Sequence, residues 1–492
     1  MKHFQDFASK VVKLVTGDSL KSKIAVGSLW LGGGNGIEQG LRFLRNIIIT
    51  RLLAPEVFGI MAIVLAISEV LDSLTELGIR TAIIQNPKGH ERTYLNGAWW
   101  LSFIRGASIY AILFLCAPYI AEFYDNPSLT PLMRLAFLSI FFRGATSPKA
   151  FVAVKEFDFK RWVIIQNGGG VIGILTTVIL SFIIQNVWAL VIGFTAEAFS
   201  RFILSYFICP YCPGIKFEKE HIRSLIQFTR GMVGLPIFTA IFMRADVFVL
   251  GKLVTKSELG LYSMAASLAY VATHLVTQLF GQLMTPAFSA IQTEKDRLNK
   301  VLLRITTYIA FFCFPLLMFT IVYGKDLLHI VYGQAYAEVA IPFAILFATS
   351  TMQVCGIPIA SLYFATGNPQ LHRIFVILRA ALIVTLIYPA VKWFGLIGAA
   401  SAGFISMFVG YVLQIRRLHK ITGLELLKYN RILLIALVTS LCVPFIWLLS
   451  REFITFHLLF NIAIGLFGCF LSYSLFILFF FKLKKLHQYF QF

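Results

Sequence analysis

Charge is scarce in this sequence. Only 13% of the 492 residues are Asp, Glu, Lys or Arg, 58% are hydrophobic, and the mean hydropathy is +0.80. A soluble chain of this length has to cover its surface with polar and charged groups, so the deficit excludes a soluble multidomain protein. Acid is scarcer than base, with 23 Asp and Glu against 43 Lys and Arg. Cysteine is also sparse, seven residues scattered at Cys116, Cys209, Cys212, Cys313, Cys355, Cys442 and Cys469. The one close pair, in CPYC (209–212), has the spacing of a redox dithiol. It stands at the end of a span, on a side expected to face the reducing cytoplasm, with no βαβ pattern around it. No Walker motif, zinc-ligand cluster or nucleophile elbow is present, and GGGNG (32–36) lacks both the Lys-Ser/Thr of a phosphate loop and a preceding strand. Loops of at most about twenty residues leave no room for a catalytic domain. Neither an enzyme activity, a cofactor nor a metal is expected.

What is abundant is long apolar runs. Stretches of about 20 apolar residues recur from Ile24 to Phe481, too long for barrel strands and without their two-residue alternation. The expected fold is therefore an all-α integral membrane protein. About fourteen transmembrane helices are expected, at 24–50, 57–86, 94–119, 128–151, 161–184, 187–209, 224–251, 258–290, 302–323, 335–365, 372–391, 396–415, 431–450 and 457–481. A charged segment precedes the first span, no small-residue cleavage site follows a short apolar core, and no cleavable signal peptide is expected.

With the N-terminus placed in the cytoplasm, roughly 26 Lys and Arg fall in cytoplasmic segments and about 6 outside. Both termini are expected inside. Much of the formal +20 charge is then topology signal, with affinity for anionic membrane lipids, and no nucleic acid is expected as a partner.

The most hydrophilic internal joint is CPYCPGIKFEKEHIRSL (209–225), after six spans and before eight. The expected organisation is a cytoplasmic N-terminal segment 1–23, a first six-helix lobe 24–209, a cytoplasmic linker 210–223, a second six-helix lobe 224–420, and two additional helices with a basic tail in 421–492. At a displacement of about 202 residues Glu56 falls on Glu258, Asp72 on His274, Glu76 on Gln278 and Arg80 on Gln282. VWALVIG (187–193) resembles IGAASAG (397–403) at a similar displacement. An even number of spans per repeat makes the two copies parallel.

Ionisable groups inside spans need a partner or a wet cavity. In SEVLDSLTELGIRTAIIQ (68–85), Glu69, Asp72, Glu76 and Arg80 fall on one face of the single helix expected at 57–86. In the first span Glu38, Arg42 and Arg45 share a face, and Gly32, Gly36 and Gly40 form a small-residue seam suited to close packing. Arg105, Arg134, Arg143, Arg230 and Arg244 add further cations, and Asp246 an acid in the second lobe. Two readings are open: buried ion pairs that lock helices, or a cation-rich cavity for an anionic substrate. In the second, Arg42, Arg45, Arg80, Arg105, Arg143 and Arg244 bind phosphate, because a guanidinium donates paired hydrogen bonds and keeps its charge. Glu38, Glu69, Asp72, Glu76 and Asp246 are then candidates for a coupling proton or sodium ion, or for ion pairs. His274, Gln278 and Gln282 could extend the cavity into the second lobe.

ITRLLAPEVFGIMAIV (49–64) resembles the polysaccharide-transporter branch of the MOP flippase superfamily, the exporters of colanic acid, O-antigen and exopolysaccharide. LGIRTAIIQ (77–85), CAPYIAEFYDNPSLTPLMR (116–134), KEFDFKR (155–161), WALVIG (188–193) and RADVFVLGKLVTKSELGLYS (244–263) extend the resemblance in order, over about residues 24 to 420. Glu56, Gly59, Gly78, Asp246, Gly251 and Gly260 match positions of the branch's pattern. The resemblance implies two six-helix lobes in a V shape, alternating access, and a bacterial inner-membrane location. It also implies an undecaprenyl-diphosphate-linked oligosaccharide as the substrate, flipped from the cytoplasmic to the periplasmic leaflet, and polysaccharide-assembly proteins as partners. The last two spans would be added to a twelve-helix core. A cation-coupled exporter of small drugs or metabolites is the alternative within transport, against which the excess of arginine argues. A polymerase or ligase acting on the same lipid would place its chemistry in a large outer loop, and the outer loops here are short.

Overall fold

A chain immersed in hydrocarbon has to satisfy its backbone N–H and C=O groups within itself. In the computed structural model, which describes residues 20–75, 78–216, 218–232, 235–450 and 458–482, it does so with helices. Among the described residues there are eighteen α-helices, one 3₁₀ turn and no strand. The chain divides into two compact units, residues 1–240 and 241–492.

The first unit contains α1 (Leu20–Leu52), α2 (Pro55–Thr75), α3 (Ile79–Gln85), α4 (Arg92–Phe123), α5 (Leu129–Gly144), α6 (Lys149–Lys155), α7 (Phe159–Ile184), α8 (Val187–Ile208) and α9 (Lys219–Met232). α1 packs on α7, α7 on α8, α8 on α5, and α5 on α4 and α2. The reversal between α7 and α8 is tight because Gln185 takes a left-handed conformation (φ 51°) and Asn186 caps α8, its side chain accepting from Trp188 N at 2.9 Å. At the other end of α4 the chain 211–216 is pinned to Asn96. Its Oδ1 accepts from the Tyr211 hydroxyl (2.5 Å) and Gly214 N (2.8 Å), and its Nδ2 donates to Lys216 O (2.8 Å).

α10 (Leu235–Leu253) crosses the division. The second unit continues with α11 (Lys256–Ala269), α12 (Val271–Ser289), α13 (Lys295–Tyr332), the 3₁₀ turn Gln334–Val339, α14 (Ala340–Ala365), α15 (Pro369–Thr422), α16 (Leu426–Ser440), α17 (Cys442–Ser450) and α18 (Leu458–Lys482). α14 is central, packed by α12, α13 and α15, and α13 also carries α16 and α18. Its core includes Phe288, Leu302, Val354, Ile359, Tyr363 and Tyr429, all fully or almost fully buried.

Eight helical stretches among the described residues are long and apolar enough to cross a membrane: Arg92–Phe123, Phe159–Ile184, Val187–Ile208, Lys295–Tyr332, Gln334–Ala365, Pro369–Thr422, Leu426–Leu449 and Phe460–Ile477. One of them is two. At about 1.5 Å per residue, Ala390 and Gly398 would lie about 12 Å apart in a straight helix, yet a Cβ on Gly398 would stand 1.9 Å from the Ala390 carbonyl. The chain turns at Gly395, whose φ of 55° and ψ of −131° a side chain would strain. That is the boundary expected between the spans 372–391 and 396–415.

The single helix expected over 57–86 is not found. α2 ends at Thr75, Gly78 is left-handed (φ 58°), and Ile79 starts a separate short helix. The eighth expected span, 258–290, is likewise two helices, interrupted at Tyr270. Apolar periodicity runs through both breaks, which is why it does not reveal them.

Candidate functional site

Four ionisable side chains meet inside the first unit. Glu38 and Arg42 are one turn apart on α1, and Glu197 and Arg201 one turn apart on α8, so each pair projects from one face of its helix. Arg42 Nη2 lies 2.7 Å from Glu38 Oε1 and 2.6 Å from Glu197 Oε1. Arg201 Nη2 lies 2.8 Å from Glu197 Oε1 and 3.5 Å from Glu38 Oε1. Each cation thus bridges both acids, and the Arg201 Nε–H donates to the Gln166 carbonyl at 3.0 Å. The carboxylates are 12% and 13% exposed and the guanidinium chains 25% and 23%, which leaves the cations the more accessible partners.

Glycines on α7 make room for this quartet. A Cβ on Gly169 would stand 2.3 Å from Arg201 Cγ, on Gly170 2.6 Å from Glu38 Oε1, and on Gly173 2.5 Å from Glu197 Cβ. The motif NGGGVIG (167–173) is therefore the floor on which both pairs rest. At Gly173 the clash includes α8 backbone, with Glu197 Cα at 3.0 Å and the Gly193 carbonyl at 3.1 Å. Gly173→Ala is expected to force α7 from α8 and destabilise the protein by about 1–3 kcal/mol. Gly33→Ala, with nothing within 4 Å, should instead be neutral or stabilising by up to about 1 kcal/mol. Thermal unfolding of the two variants in detergent checks the contrast; equal melting temperatures would refute the packing role of Gly173.

Within the first unit, α1 packs on α7 through a face other than the seam expected at Gly32, Gly36 and Gly40. A Cβ on Gly36 or Gly40 would meet nothing within 4 Å among the described residues, whereas one on Gly27 would lie 2.2 Å from Phe159 and one on Gly34 2.6 Å from Asn167 and Val163. Gly27, Gly34 and Glu38 fall on one helical stripe. The face turned to α7 is the one that delivers Glu38 and Arg42 to α8.

A second pair stands beside the quartet. Arg143 on α5 donates to Asp72 on α2, and its guanidinium lies 5.8 Å from the Phe194 ring. Arg143 is close enough to Arg201 to repel it, and Arg45 close enough to Glu197 to attract it. The Arg45 guanidinium also donates to Asn46 Oδ1, at 2.9 Å from Nη2. Asp72, Arg143, Arg201, Glu197, Arg42, Glu38 and Arg45 therefore form one electrostatic network. Among the described residues named here, four guanidinium groups stand against three carboxylates, an excess of one positive charge.

The other expected site residues lie elsewhere. Arg80, expected one turn beyond Glu76 on a shared helix, is on α3, exposed, with its guanidinium 4.4 Å from the Trp162 ring. Glu76 lies outside the described residues. Glu69 is half-buried on α2, and Arg105 half-buried on α4, next to the close approach of Gly106 to Gly144. Arg134 stacks on Phe114, 4.3 Å from its ring; the side chain of Arg230 lies outside the described residues. In the second unit Arg244 is half-buried on α10, and Asp246 accepts from the Tyr262 hydroxyl at 2.9 Å and from Val247 N at 2.8 Å. His274 is exposed on α12, and Gln278 and Gln282 sit on that helix with side chains outside the described set. No group of His, Cys, Asp or Glu among the described residues could hold a metal ion.

Glu197 and Arg201 escape a count of charges at span centres, although their four-residue spacing in EAFSR (197–201) is a readable signal. Arg379 escapes it too: half-buried on α15, it donates to Gln414 Oε1 and rests against Gly410.

Comparison with known proteins agrees with this architecture. The chain is 23% identical over 399 residues to the lipopolysaccharide biosynthesis protein WzxC of Escherichia coli K12, covering 80% of this chain and 79% of WzxC. Its fold is similar to that of the lipid II flippase MurJ in an inward closed conformation, with a TM-score of 0.73 at 14% identity over 92% of this chain and 99% of MurJ. It is also similar to an inward-facing multidrug resistance MATE family transporter of the MOP superfamily, with a TM-score of 0.66 at 13% identity over 78% and 96% of the two chains. The model of one family, described as polysaccharide biosynthesis protein, matches residues 48–341. That match spans more than half of the sequence and takes in α2, α5, α7 and α8 of the charged network: the chain belongs to the polysaccharide biosynthesis protein family.

Proposed function

We propose that this protein is a flippase that carries an undecaprenyl-diphosphate-linked oligosaccharide from the cytoplasmic to the periplasmic leaflet of a bacterial inner membrane by alternating access. Family membership supports it, as does the similarity to WzxC, a lipopolysaccharide biosynthesis protein. The protein is a transporter and not an enzyme. Fourteen spans, with two six-helix lobes, two added helices and both termini in the cytoplasm, complete the proposal; the turn at Gly395 and the asymmetry of Lys and Arg favour it.

One observation carries the mechanism: arginines inside an apolar unit are held by carboxylates in a network with a net positive charge. A diphosphate offers a guanidinium more acceptor oxygens than a carboxylate does, in the same paired geometry. Arg42, Arg45, Arg143 and Arg201 can therefore exchange Glu38, Asp72 and Glu197 for the lipid diphosphate without leaving any cation unpaired. Each carboxylate so released is a bare anion in a poorly solvated place and gains from binding a proton or sodium ion. Substrate and cation binding are then linked and reinforce each other by one common factor. The same exchange also explains why the network is slightly exposed on its arginine side.

The test of the substrate is deletion of the gene followed by mass analysis of lipid-linked sugars. Undecaprenyl-diphosphate oligosaccharide is expected to accumulate and to disappear when the gene is restored. An unchanged lipid-linked pool, with surface polysaccharide intact, would refute the proposal.

A further inference from the structure

An open cavity of about 620 Å³ lies at one end of the first unit, away from the quartet. It is lined by His90 in the turn before α4, Arg92 at the first position of α4, Lys149 at the first position of α6, Tyr206 near the end of α8, and Tyr211 and Cys212 in the chain that follows. Three cationic or protonatable side chains thus converge from two separate segments, residues 90–92 and Lys149, and among the described residues no acid lines the cavity. Among the described residues none of the three has an ion pair, and the adjacent carboxylate, Glu91, stands 4.0 Å from His221 instead. Glu91 precedes α4 without capping it through its side chain, so the positive end of a 32-residue helix opens on the same wall. The phenol of Tyr211, pushed up to about 12 by burial, stays neutral and puts no competing negative charge there.

The surroundings fit a ligand at a membrane surface. Trp99 and Trp100 lie two turns into α4, the Trp99 Nε1–H donating to the Tyr206 hydroxyl at 2.8 Å and that of Trp100 to the Gly214 carbonyl at 3.0 Å. Indoles so held, apolar ring inward and N–H satisfied, are the side chains that settle at the headgroup level of a bilayer. The segments that build the cavity are also those whose Lys and Arg place them on the cytoplasmic side. Its volume exceeds that of a bare phosphate several times and suits a headgroup.

We propose that this cavity binds a phosphate group of net negative charge, free or as the headgroup of an anionic phosphodiester or diphosphate, at the cytoplasmic end of the first unit. Arg92 and Lys149 hold the phosphoryl oxygens, His90 adds a third donor, and the rest of the headgroup fills the wall of Tyr206 and Tyr211. The site is separate from the arginine network and does not depend on what that network transports.

Cys212, exposed and in the lining, is a built-in reporter. The experiment is labelling of the full-length protein in a neutral detergent with an uncharged maleimide, the rate at Cys212 read by peptide mass spectrometry. The additives are short-chain phosphatidylglycerol, short-chain phosphatidylcholine and sodium phosphate. Phosphatidylglycerol is expected to slow labelling by about threefold or more. The doubly substituted Arg92→Gln, Lys149→Gln protein should lose that protection, its labelling rates with and without phosphatidylglycerol becoming equal, while an unchanged thermal unfolding midpoint in the same detergent shows the fold intact. Protection by phosphate alone would assign the site to the free anion, and by phosphatidylglycerol alone to a lipid headgroup; both uphold it. Equal protection by phosphatidylcholine, no protection by any additive, or protection that survives in the variant would overturn it.

Discussion

Replacing Glu197 with Ala is expected to lower stability by about 3 kcal/mol or more, because it leaves Arg42 and Arg201 sharing the single carboxylate of Glu38 in a poorly solvated place. Loss of a buried partner is more damaging than loss of a pair. The double replacement Glu197→Leu, Arg201→Leu removes both charges and keeps apolar bulk over the α7 glycines, so it should recover most of the deficit. Thermal unfolding in detergent, run for both singles and the double, measures the coupling. Additive effects, with the double as unstable as the sum of the singles, would mean that the four side chains act independently.

The second large effect is on transport. Arg143→Ala and Arg42→Ala are each expected to reduce export by about tenfold or more, and the Lys replacements to retain part of it, since Lys keeps the charge and loses the paired donor geometry. Restoration of surface polysaccharide in a deletion strain, normalised to the amount of protein in the membrane, gives the comparison. Arg134→Ala is the control: that guanidinium stacks on Phe114 and donates to its carbonyl at 3.3 Å, so export should be little changed. Full export by the Arg143 and Arg42 alanine variants would remove the arginines from the substrate path.

How much of this could be read from the sequence depends on whether the signal is local. The all-helical membrane fold follows from composition and run length, and Gly395 falls where two apolar runs are expected to meet. Helical periodicity also puts Glu38 with Arg42. It fails at Gly78, because a left-handed glycine interrupts a helix without interrupting its apolar pattern, and Arg80 falls on a separate short helix. Asp72 is expected to lie below Arg80 and is instead held by Arg143, seventy-one residues away. Glu197 and Arg201 are visible as a four-residue pair, but only the packing of α1 and α8 over α7 shows that they complete Glu38 and Arg42. The glycines of NGGGVIG are conspicuous in the sequence, and their use, a floor for charged side chains, is a tertiary fact.

The central claim is that carboxylates and a lipid diphosphate compete for the same arginines. It is tested most directly by the affinity of purified wild-type protein, Glu38→Gln and Asp72→Asn for undecaprenyl diphosphate, measured at one pH and salt concentration. Neutralising a competitor frees its arginine, so both variants are expected to bind the diphosphate more tightly than wild type, by about fivefold or more. Affinity unchanged or weakened in both variants would contradict the account and leave the network as ion pairs that only hold α1, α2, α5 and α8 together.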